Sequence, residues 1–269
     1  MSPPTQTEPR LLADVQSQAD TRNVTIDKVG VSNIRYPVRV RDRTREMQHT
    51  IATVNLFVEL PHHFKGTHMS RFLEVLGEYD EITASQIEQI LDHLRERLEA
   101  ETAHLEIEFP YFMTKRAPVT GSAGLMEFTC GYHATKGGGV YDRIVTLRVP
   151  VTTLCPCSKE IAERGAHNQR GIVSVALRSR GFVWFEELIE TIEGCASCAL
   201  FPVLKREDEK WVTERAYDNP RFVEDLLREV AVAFEADARI TYYRISVENQ
   251  ESIHAHNAYA SLERHKAGA

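Results

Sequence analysis

An α+β fold is predicted by three observations. Segments enriched in β-branched residues show partial apolar alternation, two helical stretches follow the first pair of such segments, and the same order of elements recurs in the second half. Taken in order, the first 23 residues are polar, with prolines at Pro3, Pro4 and Pro9, and predict a loose arm or a segment that docks elsewhere. Residues 29–40 and 50–60 read as strands, joined by a hairpin across 41–48. Helices are expected over 70–77 and 85–102, the second with Ile87, Ile90, Leu91, Leu94 and Leu98 on one stripe. Strand character returns over 103–111 and 124–135. The second half repeats the order, with strands at 140–151 and 171–180, helices at 184–193 and 220–236, and strands at 240–249 and 254–263. This recurrence divides the chain into an arm (1–25) and two units (26–136 and 137–265) of like architecture, without evident sequence identity between them.

The bulk properties narrow the function. Lys and Arg number 32 against 39 Asp and Glu, a net charge of −7, which excludes general electrostatic attraction to nucleic acid. No apolar run approaches the ~18 residues of a membrane span, and the first ten residues have no apolar signal core, so a cytoplasmic protein is expected. The five cysteines are an odd number, and in a reducing compartment their thiols stay free to bind metal.

One short segment concentrates metal-site chemistry. Cys155 and Cys157 flank Pro156 just after a strand, and His167 follows beyond a short helix expected over 158–164, with Ser158 as its N-cap and Gly165 as its end. Thiolate and imidazole suit a borderline-soft divalent ion, and a site with few protein ligands keeps a position for water. Buried, inert cysteines are the plainer alternative, and Cys130, in an apolar strand, fits it. The Cys195-x-x-Cys198 pair lies too far along the chain from Cys157 for a zinc ribbon, whose pairs are ~15 to 20 residues apart. No phosphate-binding G-x-x-x-x-G-K-[ST] loop occurs, and Gly137-Gly138-Gly139 lies between strands.

The run LCPCSKEIAERGAHNQR, DEKWVTE, FVEDLLRE and ENQESIHAHNAYA follow one another in the order found in the prokaryotic GTP cyclohydrolase type IB family. The chain resembles that family from about Asp14 to about Arg264. The resemblance implies two tandem tunnelling-fold units, each an antiparallel sheet backed by a helix pair, closed into an oligomeric barrel. A homotetramer with active sites between subunits follows from it. The implied activity is hydrolysis of GTP to formate and 7,8-dihydroneopterin triphosphate, entering folate-type pterin synthesis. The implied metal ligands are Cys155, His167 and Glu209, with Cys157 as an alternative, around zinc, manganese or iron(II). Glu224 is implied as the purine anchor, and Glu251 and His254 for proton transfer, with His256 beside them. Lys159, Arg170, Lys205 and Arg206 are candidates for the triphosphate. On residues alone Glu209 is one charge in a solvated run, Glu224 a favourable partner for a helix dipole, and residues 251–256 an exposed polar hairpin. Were His254 and His256 on an extended strand, they would point the same way. The alternatives are a tunnelling-fold cyclohydrolase that yields a cyclic-phosphate dihydroneopterin, a nitrile reductase of that fold, and a non-catalytic metal-binding regulatory protein.

Overall fold

The computed structural model describes residues 14, 16 and 18–266. Most of the predicted N-terminal arm therefore lies outside the described residues. Where the arm is described it docks, since Gln16 and Gln18 carbonyls accept hydrogen bonds from Gly66 and Lys65, and Asp20 N donates to His63.

The elements are β1 (Ile26–Asp42), β2 (Glu46–Leu60), α1 (Met69–Leu76), β3 (Ile82–Thr83), α2 (Ile87–Leu98), β4 (Ala103–Arg116), β5 (Ala123–Gly137), β6 (Val140–Leu154), α3 (Pro156–Ile161), β7 (Asn168–Ser179), α4 (Phe185–Cys195), α5 (Arg206–Asp218), α6 (Val223–Ala236), β8 (Ile240–Gln250) and β9 (Ala258–His265). Among the described residues the nine strands form one sheet in the order β3-β1-β2-β4-β5-β6-β7-β8-β9. Its pairings are antiparallel except for the short β1–β3 contact. Short turns join β1 to β2, β4 to β5 and β5 to β6, which is the cheap way to close an antiparallel ladder, and helices bridge β2 to β4, β6 to β7 and β7 to β8.

One face of the sheet carries the core. Leu105, Ile107 and Phe109 on β4, Leu147, Val149 and Val151 on β6, and Ile245 and Val247 on β8 alternate inward beneath the helices. Helix α2 buries Ile87, Ile90, Leu91 and Leu94 at 0% exposure, the stripe expected from sequence. Helices α4 and α6 cover the second half with Leu188, Ile189 and Ile192 and with Leu226, Val230 and Phe234. Cys130 is buried at 1%, as its apolar strand requires. No described helix is long and apolar enough to cross a membrane.

Three expectations need correction. The final strand starts at Ala258, not 254, because residues 251–257 form bends with neither a ladder partner nor apolar alternation. The solvated charged run, to which no element was assigned, is helix α5, which carries only Val212 and Ala216 against Leu154 and so shows no broad apolar stripe. The helix expected over 158–164 is α3, two residues earlier, and its N-cap is Cys155 rather than Ser158.

Candidate active site

Leu154 ends β6, and the chain turns at Cys155 into α3, with Pro156 at the first helical position. Proline suits that position because its missing N–H has no intrahelical acceptor there. Ser158 N donates to Cys155 Sγ at 3.4 Å and Ser158 Oγ to the Cys155 carbonyl at 3.2 Å. Gly165 takes φ +69°, a left-handed turn that reverses the chain. His167 N then donates to Ser158 Oγ at 3.1 Å, and Cys155 N donates to the His167 carbonyl at 3.0 Å. This closed loop sets Cys155 and His167 side by side where β7 begins.

Both residues border a cavity of about 290 Å³ at that end of the sheet, together with Glu224, Glu251, His254 and His256. Six residues singled out from sequence thus share one recess. His167 Nδ1 lies 3.1 Å from Gln169 Oε1. An amide oxygen only accepts, so this contact is a hydrogen bond in the tautomer with the proton on Nδ1, which leaves Nε2 as the acceptor nitrogen. Glu251 Oε2 is 4.0 Å from His167 Nδ1, and the two side chains are 10% and 13% exposed. The His254 ring meets His167 edge-on at 6.4 Å and stacks on His256 at 5.2 Å with an interplanar angle of 22°. That pairing comes from a bent loop, not from strand alternation. Glu251, implied together with His254 for proton transfer, has its ionic neighbour in His167.

The first turns of α5 and α6 hold adjacent acids with divided tasks, Glu207, Asp208 and Glu209 on α5 and Glu224 and Asp225 on α6. On α6, Asp225 accepts from Phe222 N at 3.0 Å and closes the cap, leaving Glu224 exposed to the cavity. On α5, Asp208 is fully buried and accepts from Thr120 Oγ1, Thr120 N, Val119 N and Lys205 N at 2.7–2.9 Å. Burial works to raise its pKa, but these hydrogen bonds outweigh burial and hold it well below the usual carboxylate range. Glu209 is left exposed on α5 and does not border the cavity.

The remaining candidates also lie outside the recess. Cys157 is exposed on α3. Lys159 Nζ donates to the Tyr217 carbonyl at 2.5 Å and sits 4.3 Å over that ring. Arg170 is exposed on β7, and Lys205 and Arg206 are exposed at the start of α5. Among the described residues no three His, Cys, Asp or Glu side chains are arranged to hold an ion. The single chain does offer Cys155 Sγ and the free Nε2 of His167, a sulfur and nitrogen pair of the type a borderline-soft divalent ion takes. Sequence reasoning missed three polar residues of the recess, Arg221, Gln169 and Asn249. Gln169 stood within the matched AHNQR run, but an amide carries no metal or acid–base signature of its own.

The model of the type I GTP cyclohydrolase folE2 family matches residues 12–260. The chain belongs to that family. It is 52% identical over 259 residues to "GTP cyclohydrolase FolE2" of Geobacter sulfurreducens, covering 96% of this chain and 100% of that protein. It is 53% identical over 258 residues to the protein of the same name from Halorhodospira halophila, again covering 96% and 100%. Among solved structures, uricase from Arthrobacter globiformis is similar at a TM-score of 0.51 with 10% identity, covering 90% of this chain and 94% of that one. A Bacillus sp. TB-90 urate oxidase mutant is similar at 0.52 and 10%, covering 90% and 100%. At such identity these two likenesses concern the fold alone, a large antiparallel sheet backed by helices.

Proposed function

We infer that the chain is a GTP cyclohydrolase of folate biosynthesis, hydrolysing GTP to formate and 7,8-dihydroneopterin triphosphate. The observation that carries this reading, beside family membership, is the convergence of Cys155, His167, Glu224, Glu251, His254 and His256 on one recess. Glu224, freed from capping by Asp225, is positioned to accept the N1–H and 2-amino protons of guanine. His254 faces the same space and is the donor for the imidazole nitrogen that leaves C8, with its stacking on His256 holding the ring in place. Glu251 and Gln169 fix the orientation and tautomer of His167.

A divalent ion, zinc, manganese or iron(II), is proposed to be held by Cys155, His167 and Glu209, with Cys157 as the alternative ligand, and supplies Lewis-acid activation of water when bound. Glu209, exposed and outside its own chain's recess, is available to a second copy. Assembly of two tandem units per chain into a homotetrameric barrel is proposed on the same grounds. The outer edge of β9 and most of that of β1 have no strand beside them among the described residues, and open edges invite pairing between copies. The triphosphate role of Lys159, Arg170, Lys205 and Arg206 belongs to that assembly.

The test is incubation of pure protein with GTP and each of the three metals, followed by pterin fluorescence and formate release. Absence of fluorescence with all three overturns the reading. Product mass separates the triphosphate from a cyclic phosphate.

A further inference from the structure

The recess has a floor that none of the assignments above uses. On the core face β8 reads Tyr243, Ile245, Val247 and then Asn249, and β6 reads Val149, Val151 and then Thr153. On β7 the same face reads Val175, Val173, Gly171 and then Gln169. Asn249 pairs with Gly171, which pairs with Val151, and Gln169 pairs with Thr153, so the apolar core gives way to polar or minimal side chains over the last steps of three adjacent strands. Asn249 is 2% exposed and borders the recess, and its Oδ1 has no hydrogen-bond partner among the described residues.

A buried acceptor left unpaired is destabilising, and a valine there would have continued the core without that cost. Space for the carboxamide is made by Gly171, where an added Cβ would stand 2.8 Å from Asn249 Oδ1. With Oδ1 packed against Gly171, the Nδ2 end of the group is the end that turns to the recess.

We propose that Asn249 is a specificity-determining residue for the purine, its Nδ2–H donating to O6 of guanine. The inference rests on the GTP reading above. Once Glu224 takes the N1–H and 2-amino donors, the neighbouring in-plane atom of guanine is the O6 acceptor, which calls for a donor. A 6-amino purine presents N–H there and meets the amide donor with a like group, and a site built for one polar partner rejects its inverse strongly.

The test compares GTP with the triphosphate of 2,6-diaminopurine riboside, which carries an amino group at C6 and a bare ring nitrogen in place of N1–H; Glu224 meets that second change equally in wild type and variant, so Asn249 is read from the change in the KM ratio between them. Wild-type protein is expected to show a KM at least tenfold higher for the 6-amino analogue. Asn249→Asp, which replaces the donor by an acceptor, is expected to shrink or invert that ratio. Asn249→Ala is expected to raise the KM for GTP about tenfold or more with a smaller change in kcat. A general structural fault would not alter the ratio of the two KM values. An unchanged ratio in soluble Asn249→Asp overturns the assignment. Should the variants fail to fold, equal binding of the two nucleotides by the wild type overturns it as well. Wild-type protein inert toward GTP would instead remove the cyclohydrolase reading on which the inference stands.

Discussion

The two halves of the sheet end alike in order and unlike in chemistry. In the first half β1 turns directly into β2, and Asp42 seals that turn by accepting from Thr44 N, Arg45 N and Gln48 Nε2. Glu186 of α4 closes it further, accepting from Arg43 N and from Tyr111 at 2.6 Å, and about 90 Å³ of space is left there. Burial and the Glu186 carboxylate push the Tyr111 phenol far above its ordinary pKa, so it serves only as a donor. In the second half the matching β6–β7 connection is lengthened to carry Cys155 through His167, the β8–β9 connection carries Glu251 through His256, and about 290 Å³ stays open. The comparison teaches that one frame serves stability where its turns are short and chemistry where its turns are extended.

The largest effect that can break this contrast is on turnover. Cys155→Ala and His167→Ala are each expected to lower pterin formation about a thousandfold or more with little change in melting temperature, whereas Asp42→Ala in the first half should cost about 1–3 kcal/mol of stability while turnover persists. Denaturant unfolding beside a fluorescence assay reads both. If Asp42→Ala silences the enzyme while the fold survives, the division of labour is lost. Next in size is the core that both ends share. Leu94→Ala on α2, fully buried, is expected to cost about 2–5 kcal/mol in urea unfolding without changing the KM for GTP.

The paired acids sharpen the comparison within the second half. Glu224→Gln is expected to weaken GTP binding about tenfold, roughly 1.4 kcal/mol, with bound metal unchanged by elemental analysis. Its neighbour Asp225→Asn should leave KM in place and cost about 1 kcal/mol of helix capping. Identical behaviour of the two variants would show that the cap and the anchor are not separate. The smallest effect concerns pH. The folded pKa of Asp208 lies below its unfolded value of about 3.9, so its contribution is complete above that value and is lost as pH falls from about 4 through the folded pKa. Melting temperatures followed from pH 5 downward should fall less steeply in Asp208→Asn than in wild type. Equal slopes would deny Asp208 its part in the acid limb.

Much of this molecule was legible along the chain. The α2 stripe, the alternating strands and their order follow from apolar periodicity, which the burial of Leu91 and Leu94 and of Ile245 and Val247 bears out. The residues of the recess were legible because the runs around Cys155, Glu224 and Glu251 carry a family resemblance, not because any spacing forced them together. Helix α5 escaped notice for a physical reason. Its stability comes from one buried carboxylate capped by a distant turn at Val119 and Thr120, and a hydrogen bond across 88 residues leaves no local periodicity.

Sequence alone determined which residue types were present for acid–base and soft-metal chemistry, which faces of strands and helices were apolar, and that no phosphate-binding loop would do the work. Tertiary structure decided which of two adjacent acids became a cap, how a bent loop stacked His254 on His256, and where the core stopped being apolar so that Asn249 and Gly171 formed a floor. Those outcomes depend on partners brought near by folding, and pairwise contact between distant segments is the one quantity that periodicity along a chain does not encode.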